Sequence, residues 1–276
     1  MAAATTFIRW QGVHSGMDIH ITHIDTACIL LEIGSFRILT DPTLDKGGHL
    51  YYHGFGALSR KTGDPALPEP GLPFIDLVLL SHHQHKDNFD KQGKAFTGKV
   101  DKVLSTKNAA HDLPGVIGLD NWETYAVDTP KIKGLRITAT PAQHRPWWLP
   151  EFISGTVIGF VIEYEGQENG VIYISGDTVY FRGINEVAKR FKVDVGIFHV
   201  GAVQFRYLTG LGKYTMDSKD LIKSANIINP KKIIPIHHKG WSHFKEREQQ
   251  LKSALSSNAL TCERTIYLRS GNRTYI

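Results

Sequence analysis

The chain has 276 residues, 41% of them hydrophobic, with 32 basic and 27 acidic side chains and a net charge of +5. That supplies apolar material for a substantial core, and the dispersed charge forms no basic block, so no nucleic-acid partner is expected. Cys28 and Cys262 are too few for a disulfide framework, the N-terminal residues lack the pattern of a signal peptide, and no run approaches a membrane span; free thiols, a cytoplasmic location and no membrane partner are expected.

In chain order, residues 18–41 alternate in short β-rich pieces, the last two joined at Gly34-Ser35, and end on Asp41-Pro42. This predicts an antiparallel meander with a carboxylate at its last strand end. Residues 43–73 are rich in glycine, proline and aromatics without periodicity, and read as a substrate-side loop. The apolar run Phe74–Leu80 predicts a buried strand that delivers Ser81-His82-His83-Gln84-His85-Lys86-Asp87-Asn88 at its end. Alternation puts His83, His85 and Asp87 on one side, and imidazoles with a carboxylate are a ligand set for a divalent ion. Residues 90–128 read as short α/β units, with a strand at 101–105.

The second half repeats the theme. A strand at 135–140 leads to His144 and to Trp147-Trp148, an apolar mouth if exposed, and strands at 157–164 and 171–175 lead to Ser175-Gly176-Asp177. Helices are predicted at 185–191, 217–228 and 243–256, and strands at 193–200, 232–236 and 265–269, the strand at 232–236 running into His237-His238. Strands first, then alternating helix and strand, predict one αββα sandwich of two mixed sheets over residues 1–276.

Seven of the 14 histidines fall in three clusters, each after a strand and in company with Asp41, Asp87 and Asp177. With these blocks in this order, from about Ile19 to about Arg269, the chain resembles the metallo-β-lactamase superfamily of metal-dependent hydrolases, nearest its ascorbate-6-phosphate lactonase-like branch. The resemblance implies that His83, His85 and His144 hold one metal, that Asp87 and His237 belong to a second, and that Asp177 bridges both. One or two divalent ions follow, zinc first and manganese second, with water activated at the metal as the nucleophile. Asp87 and Asp177 would be catalytic, His243 an acid for the leaving group, and Asp41 a support for a ligand imidazole. Asn88 departs from the family's histidine at that place; if the turn differs, His82 or His238 is the compensating ligand. Tyr51, Tyr52, Trp147, Trp148 and Trp241 are the expected substrate wall. The expected function is hydrolysis of a small-molecule ester, lactonase-like. A phosphodiesterase, with Arg145, Arg206 and Lys239 meeting phosphate, and a non-catalytic metal-dependent binding protein are the alternatives. A homo-oligomer is compatible with the sequence.

Overall fold

The computed structural model describes residues 16–276, so the N-terminal stretch read for a targeting signal lies outside the described residues. The opening meander is β1 (Ile19–Asp25), β2 (Cys28–Ile33) and β3 (Phe36–Thr40), paired antiparallel as expected. A hairpin of β4 (Leu50–Tyr52) and β5 (Leu58–Arg60) lies within the 43–73 segment. Next come β6 (Leu77–Leu79), α1 (Lys91–Thr97), β7 (Val103–Thr106), α2 (Lys107–Asp112), β8 (Val116–Leu119) and β9 (Thr124–Ala126). The second half contains β10 (Arg136–Pro141), α3 (Glu151–Ser154), β11 (Ile158–Glu163), β12 (Val171–Ile174), α4 (Arg182–Arg190) and β13 (Val193–His199). It closes with α5 (Arg206–Thr209), α6 (Ser218–Ile228), β14 (Lys232–Ile236), α7 (Glu248–Ser256), α8 (Ala259–Arg264) and β15 (Arg273–Tyr275).

The strands form two mixed sheets, ordered β15-β1-β2-β3-β6-β7-β8 and β14-β13-β12-β11-β10-β9. Side-chain alternation explains the layers. In β2, Ile29, Leu31 and Ile33 join the core between the sheets, while Cys28 and Leu30 face the other way into a cluster with Phe96 of α1 and Ala109 of α2. In β12, Ile172 and Ile174 face the shared core, whereas Tyr173 packs outward with Ile184 of α4, Leu221 of α6 and Leu251 of α7. Strands buried on both faces read as continuous apolar runs and need helices outside them, which makes the αββα arrangement.

The C-terminal end departs from the expected pattern. The predicted strand at 265–269 is reduced to one bridge, Ile233 with Thr265, and the edge strand is β15, paired with β1. Helix α7 begins at Glu248 rather than at residue 243, because residues 241–246 are held on the body of the protein: Ser242 N donates to Arg60 O, and Lys245 N to Gly201 O.

The parallel pairs β12–β13–β14 and β3–β6–β7 deliver their following residues to one edge, and β10 runs in the same sense as β12 because both are antiparallel to β11. All the chemistry-bearing turns meet there. Gly176 shows how tight the meeting is: its φ is +60° and a Cβ would lie 2.4 Å from Ile158 O, so only glycine turns here.

A fully buried lysine ties the hairpin segment down. Lys61 Nζ lies 2.6 Å from Asp25 Oδ2 at the end of β1 and 3.2 Å from Asp90 Oδ2, and Asp90 also caps α1 through Gly93 N. Removing it strands two buried carboxylates. Lys61→Ala is therefore expected to lower unfolding free energy by about 3–5 kcal/mol in urea titrations; a loss below about 1 kcal/mol would show that the pair is not what holds the segment.

Candidate metal centre

Two groups of three buried side chains lie at this edge: His82, His85 and His144, and Asp87, Asp177 and His237, the ligand-type atoms within each group all lying within 4.8 Å of one another. The groups are neighbours, with His144 Nδ1 3.8 Å from Asp177 Oδ2. The structure corrects the expected ligand set at one position. His82, not His83, joins His85 and His144, because the turn after Leu80 spends two residues between the inward histidines instead of one. His83 turns away to hydrogen-bond Asp112 Oδ2 through Nε2 at 2.8 Å.

Hydrogen bonds fix which nitrogen of each ring faces the centre. Tyr214 O can only accept, so His144 Nδ1 donates to it at 2.9 Å and Nε2 carries the lone pair. The Ser81 hydroxyl donates to Asp41 Oδ1 at 2.8 Å, so at 2.9 Å it accepts from His82 Nδ1–H, leaving His82 Nε2 bare. Asp41 thus acts at one remove, through Ser81, rather than on an imidazole as the sequence suggested. His82 Nε2 and His144 Nε2 sit 3.1 and 3.0 Å from His85 Nδ1, so at most one proton serves two contacts. Burial drives all three rings toward neutrality: His82 falls to about 3, His85 lies well below 6.5, and His144 is lowered. Converging neutral nitrogens fit a cation, which each could ligate.

In the second group each carboxylate has one oxygen engaged and one without a hydrogen-bond partner among the described residues. Asp177 Oδ1 accepts from His199 Nδ1 at 2.8 Å and from Asn88 Nδ2 at 3.4 Å, while buried Oδ2 has no partner. Asp87 Oδ2 accepts from His243 Nε2 at 2.8 Å, and Oδ1 is left without a partner. His237 donates from Nδ1 to Val200 O at 3.2 Å and turns Nε2, likewise without a partner, toward both acids at 3.5 Å. His237 holds this pose at φ +60°, a region that costs a β-carbon residue energy and is kept where surroundings enforce it. Buried atoms of this kind around two acids fit a second cation.

The remaining expected site residues fall elsewhere. His243 is buried against Asp87 and does not line the cavity above the centre, which removes the contact needed for a leaving-group acid. Asn88 and His199 position Asp177. His238, its pKa lowered to about 4 by burial first and then by the charges of Lys239 and His23, stands outside both groups.

The cavity above the centre is lined by His85, Asp87 and His144 below and by Phe55, Ala57, Ile153, Val203, Phe205, Leu208 and Tyr214. None of Tyr51, Tyr52, Trp147, Trp148 and Trp241 lines it: Tyr51 donates to Asp45 Oδ2, Trp241 is buried and donates to Thr26, and Trp147 is 84% exposed. Sequence reasoning missed His53, which lines the cavity with Nδ1 3.7 Å from Asp87 Oδ1, and had no periodic signal from which to find it in the hairpin segment.

The sequence profile of a beta-lactamase superfamily domain matches residues 36–238. A UPF0173 metal-dependent hydrolase of Methanoregula boonei is 26% identical over 248 residues, covering 86% of this chain and 90% of that protein. The UPF0173 metal-dependent hydrolase of Thermococcus onnurineus is 25% identical, covering 82% and 88%. Among solved structures, an isothiocyanate hydrolase from Delia radicum gut bacteria superposes with a TM-score of 0.74 at 22% identity, covering 92% of this chain and 98% of the other. Igni18, a metallo hydrolase of Ignicoccus hospitalis, gives 0.65 at 20% identity, covering 94% and 98%.

The second group predicts a pH signature in protein stripped of metal. Burial, the largest influence on His237, opposes its charge, but Asp177 and Asp87 together outweigh it and lift the ring from 6.5 to about 9. A raised folded pKa stabilises fully below the unfolded value and is lost as pH rises through the folded one. Metal-free protein is expected to lose roughly 2–3 kcal/mol between pH 6.5 and 9 in urea titrations, and His237→Asn to lose that slope. An equal slope in the variant would contradict the assignment.

Proposed function

The chain belongs to the beta-lactamase superfamily, and from that premise we propose that it is a metal-dependent hydrolase acting on a small, uncharged ester or lactone. The observation that carries the reading is the pairing of two buried ligand groups with a cavity whose floor is made by three of their members, His85, Asp87 and His144. His82, His85 and His144 would hold one divalent ion and Asp87, Asp177 and His237 another. The nitrogen-rich group suits zinc, and the carboxylate-rich group accepts zinc or manganese. Bound there, a divalent ion supplies acidified water and polarises the electrophile.

The chain's own residues orient and exclude. His243 locks one oxygen of Asp87, which fixes the carboxylate in the cavity floor where it can orient a water nucleophile. His199 and Asn88 lock Asp177 in the same way. The apolar wall keeps bulk water from the reacting carbon.

Charge separates this reading from the phosphodiesterase. Among the described residues, no lysine or arginine lines the cavity. Arg145 donates to Leu149 O, Arg206 to Gln204 Oε1, and Lys239 is not among the lining residues, so an anionic phosphate finds no side-chain cation in the wall. The same absence disfavours a phosphorylated lactone. Asn88, the departure from the family pattern that would favour a binding protein, contacts Asp177 and so has a positioning role compatible with catalysis.

Elemental analysis of purified protein is expected to give about two divalent ions per chain. His82→Ala and Asp177→Ala should each lower that content, while His83→Ala retains it. His243→Ala should cost about 10–100-fold in metal affinity or in kcat/KM on neutral esters. A parent that takes up neither zinc nor manganese would refute the hydrolase, and loss of metal in His83→Ala alone would restore the alternating ligand set.

A further inference from the structure

The mouth of the cavity is built from three separate segments, and each presents apolar surface to solvent. Phe55 at the tip of the β4–β5 hairpin is 59% exposed, Phe152 in α3 is 74% exposed and Leu208 in α5 is 42% exposed. Phe55 and Leu208 belong at once to the cavity wall and to this exposed rim. The rings of Phe55 and Phe152 meet edge to face with centroids 6.4 Å apart. The tip is held in register with α5: Tyr207 Oη donates to Gly56 O at 3.1 Å and accepts from Leu58 N at 2.9 Å. Exposed aromatics gathered this way are costly to leave in water and mark a surface that is covered in use.

We infer that this collar takes an unbranched apolar tail of the substrate, so that the substrate class is a neutral ester or lactone carrying an alkyl chain. The inference rests on the reading of the floor as a hydrolytic metal centre. The occupant follows from shared lining: Phe55 and Leu208 of the rim line the same cavity as His85, Asp87 and His144, so a chain lying on them has its polar head at those residues. A larger partner could cover the rim but would not enter the cavity.

Titration calorimetry on the full chain separates this from the metal reading. Two probe series are used, primary alkanols from butanol to decanol on metal-free protein, and alkyl hydroxamates from acetohydroxamate to octanohydroxamate on zinc-loaded protein. Affinity is expected to rise about two- to threefold per methylene in both series, below the fourfold of full burial because the collar is open on one side. In the double variant Phe55→Ser, Phe152→Ser the increment should fall toward unity in both series. Phe74→Ser, at an exposed phenylalanine that precedes β6 instead of following it, should leave the increment intact. A chain-length increment for alkanols with no hydroxamate binding would support the collar and refute the metal centre. Affinity independent of chain length in the alkanols, or an increment unaltered by the double variant, would overturn the collar whatever the hydroxamates do.

Discussion

The structure depends on one electrostatic constraint: six ligand-type side chains are buried at a single edge where their lone pairs and charges face one another. Desolvation pushes His82, His85 and His144 to neutrality, so that group offers nitrogens with too few protons to satisfy their contacts. In the neighbouring group Asp87 and Asp177 are compensated by a proton on His237 and by the hydrogen bonds of His243, His199 and Asn88. Side chains so arranged are costly to fold around nothing, and a cation in each group relieves both costs together.

Much of the surrounding architecture serves to hold that arrangement. Backbone carbonyls at Tyr214 and Val200 and the Asp41–Ser81 pair each set the tautomer of one ring, so the nitrogens that face the centre are decided before any ligand arrives. Lys61 ties the hairpin segment to the end of β1 and the start of α1, and through that segment sets His53 and Phe55 over the floor. Core, tie and ligand shell therefore form a single chain of dependence, from sheet register to ring orientation.

The sequence made legible whatever is carried by period and by strand ends. Apolar runs ending in His, Asp or both located β6, β12 and β14 and the turns after them, and their order carried the family resemblance. What it could not carry was the geometry of a turn. Whether His82 or His83 points inward depends on how two residues are accommodated after Leu80, and alternation alone favours the wrong one. Contacts between distant segments were equally silent: nothing local distinguishes His53 among hairpin residues, or reveals that His243 would be consumed by Asp87. Aromatic content marked the 43–73 segment as part of the site, but not that Phe55 lines the cavity while Tyr51 and Tyr52 stay outside the wall. The last strand was misplaced because residues 265–269 have the composition of a strand, whereas the free edge beside β1 is filled by residues 273–275.

Anomalous diffraction from crystals of the zinc-loaded protein, recorded on both sides of the zinc absorption edge, tests the central claim most directly. The account predicts two anomalous peaks, one among His82, His85 and His144 and one among Asp87, Asp177 and His237, with no density on His83. A peak on His83, or fully loaded crystals with neither peak, would contradict it.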